Sequence, residues 1–234
     1  MSRTDFIHMD EPREKTQIRV RQAARALGRH NLGHAYGHVS ARIDAQSFLV
    51  CAAKPMGLIT PDDPGAIVPV DGPLPGGVLG EVRCHQQIYK RRTDVNGIAR
   101  TFLRDVMTLS TFERTPKPRI GFASYFAPAP PLWNDPLLLR DDTAAAELAT
   151  TLGDARAIVM RGNGCILTGA TVEEAIVMAF FLEEAAKTEL AVMATGQEQK
   201  SLIYSTEQAK ARAVSSGQIF ERMWDYLTAG DPEK

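Results

Sequence analysis

Hydrophobic and polar positions alternate along this chain between two periods. In residues 14–27, Ile18, Ala23, Ala24 and Leu27 make one apolar side, and Gly28 and Gly33 follow, so the spacing predicts a first helix that those glycines end. A Gly-rich turn at 33–37 enters a strand that runs to Arg42, and short β-prone runs follow at 48–52 and 67–70. Pro and Gly at 73–80 form a turn. Glu81, His85 and Tyr89 then recur at four-residue spacing, which places them on one face of a central helix. Val95 and Ile98 lead into a strand with Arg100 and Phe102 on one side and Thr101 on the other.

The second half continues the mixture. A helix is expected over 104–110 with Val106 and Leu109 inward, a strand-like run over 120–126 and a loop over 127–131. Asp141, Asp142 and Thr143 form an N-cap cluster for a helix to Leu152, stopped by Gly153. Strands at 157–160 and 165–167 flank a tight turn, Arg161-Gly162-Asn163-Gly164. Thr171 and Glu174 read as a capping box for a long helix to about residue 194, and a last helix spans roughly 206–227 with Ile219, Met223 and Trp224. Strands and helices do not alternate strictly, so the pattern predicts a central, mostly antiparallel sheet covered by helices.

Composition narrows the function. The 234 residues, 44% hydrophobic and 24% charged, suit one domain with a sizeable core. A net charge of −1 offers nothing to nucleic acid or an anionic membrane. The polar first 15 residues lack a signal peptide's apolar run, and the longest apolar run, 175–182, is too short to span a bilayer. The three cysteines, Cys51, Cys84 and Cys165, are scattered and read as reduced thiols of a cytoplasmic protein.

The stretch Gly80-Glu81-Val82-Arg83-Cys84-His85, continued by Tyr89, Arg92-Thr93-Asp94-Val95 and Arg100-Thr101-Phe102, resembles the class II aldolase/adducin family. Gly37-His38-Val39-Ser40-Ala41-Arg42 matches the same family's first-strand motif. The resemblance covers about residues 15–196 of a single domain over 1–234, with 197–234 as a helical extension. It implies a three-layer α/β/α, α+β-like fold and a homotetramer. In the enzymes of that family three histidines hold a divalent metal; the matching positions here hold Arg100, Phe102 and Asn163. The resemblance therefore implies the scaffold without the metal ligands, and neither a metal nor another cofactor is expected.

Each candidate has a plain structural alternative. Glu81 in a first helical turn complements the helix dipole, but the resemblance implies an acid/base. Arg100 either pairs a substrate carboxylate or enolate in place of a metal, or fills the empty site by pairing with Glu81. Phe102 dries the pocket or stacks on an aromatic substrate, Asn163 is either a turn residue or an amide donor, and His38 is either structural or a substrate contact. His85 reads as a packed or hydrogen-bonded structural histidine. A metal held by His34, His38 and Glu81 is a third reading. The hydroxyl and amide donors that suit a sugar phosphate are largely missing. The wording around His38 and Met160-Arg161-Gly162 resembles members that decarboxylate aromatic or pyridine carboxylates, which adds Arg161 to the substrate contacts. The expected function is a metal-independent lyase, of decarboxylase or aldolase/dehydratase type, acting on a small carboxylate. The alternative is a non-catalytic, adducin-like scaffold or binding protein.

Overall fold

Among the described residues seven strands form one sheet in the order β3-β2-β1-β4-β7-β6-β5. They are β1 (His38–Arg42), β2 (Ser47–Val50), β3 (Ala66–Pro69), β4 (Gly97–Thr101), β5 (Leu132–Trp133), β6 (Ala157–Met160) and β7 (Cys165–Gly169). Every pairing is antiparallel except β5 with β6. Seven α-helices accompany them: α1 (Glu11–Arg29), α2 (Arg83–Arg91), α3 (Arg104–Ser110), α4 (Asp142–Leu152), α5 (Val172–Ala194), α6 (Thr206–Arg212) and α7 (Ile219–Leu227). This is a computed structural model; it describes residues 11–234, with side chains from residue 13 onward, so residues 1–10 of the polar N-terminal stretch lie outside the described residues.

Strand alternation sorts the core into two layers. Val39, Ala41, Leu49, Ala99, Val159 and Leu167 face one side and merge with buried residues of α1, α3, α5 and α7. Phe48, Val50, Ile98, Ile158, Met160 and Ile166 face the other side and meet α2 and α4. The expected three layers and mostly antiparallel sheet are therefore present, and the second layer is the one that carries His38, Ser40 and Arg100.

Several local expectations change. The helix α1 runs through Gly28, which is no stop: a Cβ there would stand 2.4 Å from the backbone nitrogen of Gly57, so its lack of a side chain permits a close crossing. Glu81 lies not on an α-helix but on a 3₁₀ turn, Gly80–Val82, that leads into α2. Residues 121–126 form a 3₁₀ helix rather than a strand, because their aromatics pack on α5; the Phe122 ring stacks 4.5 Å from Phe181. The short β5 was not anticipated.

The last helix is two. Gly217 and Gln218 take positive φ values of 77° and 57° and turn the chain between α6 and α7. The Thr171 hydroxyl accepts from the Glu174 N–H as expected, whereas the Glu174 carboxylate reaches the N–H of Ala170. Residues 197–234 are fastened to the body of the domain. Trp224 of α7 is buried in the layer of α1 and α5, and Arg25 pairs with Asp231 at 2.6 Å and Glu233 at 2.7 Å. The final helix thus covers the face opposite His38 and Arg100, not the pocket.

Candidate active site

Two strands and a turn bring the chemistry together. The register of β1 on β4 sets His38 opposite Arg100 and Ser40 opposite Ile98. Cross-strand partners point to the same face, so His38, Ser40 and Arg100 line up beneath α2. From above, α2 presents His85 and Tyr89, and the preceding 3₁₀ turn presents Glu81.

Arg100 is completely buried. Its Nη1 donates to the Thr101 carbonyl at 2.8 Å, its Nε stands 3.3 Å from Glu81 Oε2, and its guanidinium lies 4.4 Å from the centre of the Phe102 ring. Neither Nε nor Nη2 has a hydrogen-bond partner. Arg100 needs Gly164, since a Cβ at that position would meet Thr101 O at 2.1 Å and Arg100 Nη1 at 2.7 Å.

A cavity of about 740 Å³ lies beside this cluster. Glu81, Phe102, His38 and Asn163 line it, with Tyr36, Leu138, Lys54 and Arg140 around them. Tyr36 and Leu138 are exposed, so the cavity opens to solvent past them. Phe102 forms an aromatic wall, stacked on His34 at 5.5 Å and meeting Tyr36 edge-on at 6.2 Å.

Asn163 is not the residue that the β6–β7 turn requires. Gly162 and Gly164 take the positive φ values, 65° and 79°, and Asn163 does not. Its Nδ2 is buried without a partner, so the amide is available to the cavity.

Arg100 and Arg161 stand elsewhere than expected. Arg100 belongs to the floor beneath the cavity rather than its lining, because β4 is central in the sheet and both Phe102 and Glu81 cover it. Arg161 turns away and donates to the Asn134 carbonyl at 3.2 and 3.3 Å. Arg140, by contrast, reaches the cavity and went unnoticed; it is exposed and immediately precedes the Asp141 N-cap of α4. A lone arginine in a loop carries no spacing that could have flagged it. Lys54 also lines the cavity, paired with Asp63.

Behind the cavity runs a buried hydrogen-bonded chain. Tyr89 OH lies 2.9 Å from Ser40 Oγ, Ser40 Oγ lies 2.7 Å from His85 Nδ1, and His85 Nε2 lies 3.0 Å from His38 Nδ1. His38 Nε2 is buried and unpartnered. Burial, then the proximity of His85 and of the Arg100 charge, holds His38 well below the usual imidazole range. Burial and Arg100 likewise push His85 down to about 3, so both rings are neutral. Of the two expected readings His85 is the hydrogen-bonded one: it joins His38 to Ser40.

Burial raises the thiols of Cys84 and Cys165 to about 12, which leaves neither as a ready nucleophile. Among the described residues no group of three or more His, Cys, Asp or Glu could hold a metal ion. His34 stacks on Phe102, so it does not form a ligand set with His38 and Glu81. None of the described helices is long and apolar enough to cross a membrane.

Known proteins resemble this chain in sequence and in fold. The Class II Aldolase and Adducin N-terminal domain matches residues 18–190. A 3,4-dihydroxyphthalate decarboxylase of Terrabacter sp. (strain DBF63) is 25% identical over 202 residues, covering 78% of this chain and 83% of the relative. One of the same name from Arthrobacter keyseri is 26% identical over 197 residues, covering 77% and 79%. The crystal structure of an aldolase II superfamily protein from Pseudomonas syringae superposes with a TM-score of 0.80 at 22% identity, over 94% of this chain and 92% of that one. An L-fuculose 1-phosphate aldolase from Glaciozyma antarctica PI12 gives a TM-score of 0.78 at 19% identity, over 97% and 92%.

Proposed function

Because the chain belongs to the class II aldolase and adducin family, we propose that it is a lyase that decarboxylates a small hydroxylated aromatic carboxylate without a metal. The observation that carries this reading is the placement of Glu81 on a cavity with an aromatic wall and unspent amide hydrogens. The two decarboxylases similar to this chain support the substrate class.

The side chains at the site do not fit a divalent ion. In this reading the three positions that the resemblance assigns to histidine ligands hold Arg100, Phe102 and Asn163. A guanidinium cannot ligate a metal, and its fixed charge beside Glu81 repels one. A phenyl ring has no donor, and a single amide is a poor substitute for imidazole.

The chemistry follows from Glu81 as a proton carrier. Its carboxylate takes the proton of a ring hydroxyl next to the leaving carboxylate, and the released electron pair enters the ring. Glu81 then returns that proton to the ring carbon that bears the carboxylate. The bond from that carbon to the carboxylate breaks, its electron pair restores the aromatic ring, and carbon dioxide departs. The phenolate so formed takes a proton from solvent. Phe102 stacks the ring, Asn163 and His38 meet its oxygens, and Arg140 and Lys54 attract its charge. Arg100 is a positioning residue: it holds the Glu81 carboxylate from beneath.

One observation favours a second reading, a binding protein without catalysis. Arg100 pairs with Glu81 and lies under Phe102, so the charges partly satisfy each other. A panel of hydroxylated benzoates and phthalates, including 3,4-dihydroxyphthalate, separates the two. Release of carbon dioxide that survives a chelator and vanishes in Glu81→Gln is the expected result. Binding without release supports the second reading, and activity that a chelator removes overturns metal independence.

A further inference from the structure

The chain Tyr89–Ser40–His85–His38 has a direction, and that direction decides what His38 offers to the cavity. Both imidazoles are neutral, so each carries one ring proton. Two patterns of histidine tautomers place a single hydrogen in every contact. In the first, His38 Nδ1–H donates to His85 Nε2, His85 Nδ1–H donates to Ser40, and either Ser40 donates to Tyr89 or Tyr89 donates to Ser40. One hydroxyl hydrogen, that of Tyr89 or that of Ser40, then has nowhere to go, because neither hydroxyl has a partner outside the chain among the described residues and both residues are buried. In the second, Tyr89 donates to Ser40, Ser40 donates to His85 Nδ1, and His85 Nε2–H donates to His38 Nδ1. Every donor inside the chain is then used, and the one left over is His38 Nε2–H.

Either pattern leaves one buried donor unpaired, but Ser40 and Tyr89 lie behind the cavity whereas His38 lines it, so only in the second can water or a ligand supply the missing acceptor, and the second wins. We propose that Tyr89, Ser40 and His85 act as positioning residues that lock His38 as its Nε2–H tautomer, a dedicated donor to a substrate oxygen and not a base.

The surroundings fit that role. Four of the five buried polar side-chain atoms without a partner among the described residues are nitrogens of this cluster: His38 Nε2, Arg100 Nε and Nη2, and Asn163 Nδ2. With His38 locked as a donor, its Nε2–H and the Asn163 amide offer hydrogen to an oxygen-rich anion in the cavity, the Arg100 nitrogens lie beneath them, and Glu81 is left as the one acceptor carboxylate lining the cavity. The identity of that anion as an aromatic carboxylate rests on the proposed function; the tautomer does not.

The test is ¹⁵N NMR of the imidazoles in the full-length protein near neutral pH. The expected spectrum shows both His38 and His85 protonated at Nε2 and bare at Nδ1. A His38 proton on Nδ1 would overturn the inference outright. Ser40→Ala removes the link that sets the direction, and mixed tautomers at His38 are expected. An unchanged spectrum in that variant would show that the chain does not control the ring.

A titration with phthalate is the second arm. It should shift the His38 Nε2–H signal saturably, and Ser40→Ala should weaken binding about tenfold, the scale of one hydrogen bond to a charged group. Equal affinity in wild type and Ser40→Ala would overturn the donor role. An Nε2–H tautomer with no phthalate binding would leave the lock standing and count against the aromatic-carboxylate reading.

Discussion

Arg100 and Glu81 are joined unequally: the arginine side chain is 1% exposed and the glutamate 21% at a separation of 3.3 Å. Arg100 has no other carboxylate partner among the described residues, whereas the Glu81 carboxylate borders a cavity that water can enter. Removing either partner should therefore cost different amounts. Glu81→Gln strands a buried guanidinium and is expected to cost about 2–3 kcal/mol. Arg100→Met leaves a hydrated carboxylate and an apolar filler and should cost about 1 kcal/mol. Urea unfolding of the two variants checks the order; an equal or reversed order would show that the pair is not asymmetric.

The turn after β6 supplies an internal control on that floor. Gly164 has a positive φ and its missing Cβ makes room for Thr101 O and Arg100 Nη1, whereas Gly162 has a positive φ with nothing within 4 Å of a Cβ. Gly162→Ala should cost about 1 kcal/mol from the backbone alone. Gly164→Ala adds a clash with main chain and is expected to cost about 3 kcal/mol or more. It should also displace Arg100 and lower any activity, a change that Gly162→Ala should not bring.

What the chain revealed before folding follows from how local each signal is. Helix α3 and the Asp141 cap were legible because spacing and capping act over a few residues. Residues 121–126 misled because their aromatics answer to α5, a partner distant in sequence. The break between α6 and α7 lay in Gly217 and Gln218, whose positive φ values the helical spacing of Ile219, Met223 and Trp224 concealed. Around the site, Glu81, Phe102, His38 and Asn163 were all legible and do converge. Arg140 was not, since only the path of the loop before α4 brings it there, and the depth of Arg100 depends on the central place of β4.

Arg140 yields a prediction of its own. It is exposed, has no ion-pair partner among the described residues, and borders the cavity. Arg140→Gln should leave the unfolding free energy within about 0.5 kcal/mol of wild type. If it attracts the substrate carboxylate, affinity for phthalate should fall about tenfold, with weaker salt dependence. Calorimetric titration at low and high salt reads both, and unchanged affinity would remove Arg140 from the site.

The neutral histidine pair makes stability depend on acidity in a definite direction. His85 is held near 3 and His38 well below its ordinary value of 6.5, by burial first and then by neighbouring charge. Unfolding releases both rings into water, where they take up protons below about pH 6.5. The unfolded state then binds more protons than the folded one, so stability is complete above the ordinary imidazole range and drains away as the pH falls toward the folded values. Two such groups should make the protein about 2.5 kcal/mol less stable near about pH 5.5 than near about pH 7.5, an interval above most carboxylate titrations. Denaturant unfolding across that interval measures the slope. His85→Gln should flatten it by about half, since one imidazole then no longer differs between the two states. A wild-type profile already flat across the interval would mean that the pair is protonated in the folded protein, contrary to the neutral chain that His38, His85, Ser40 and Tyr89 form.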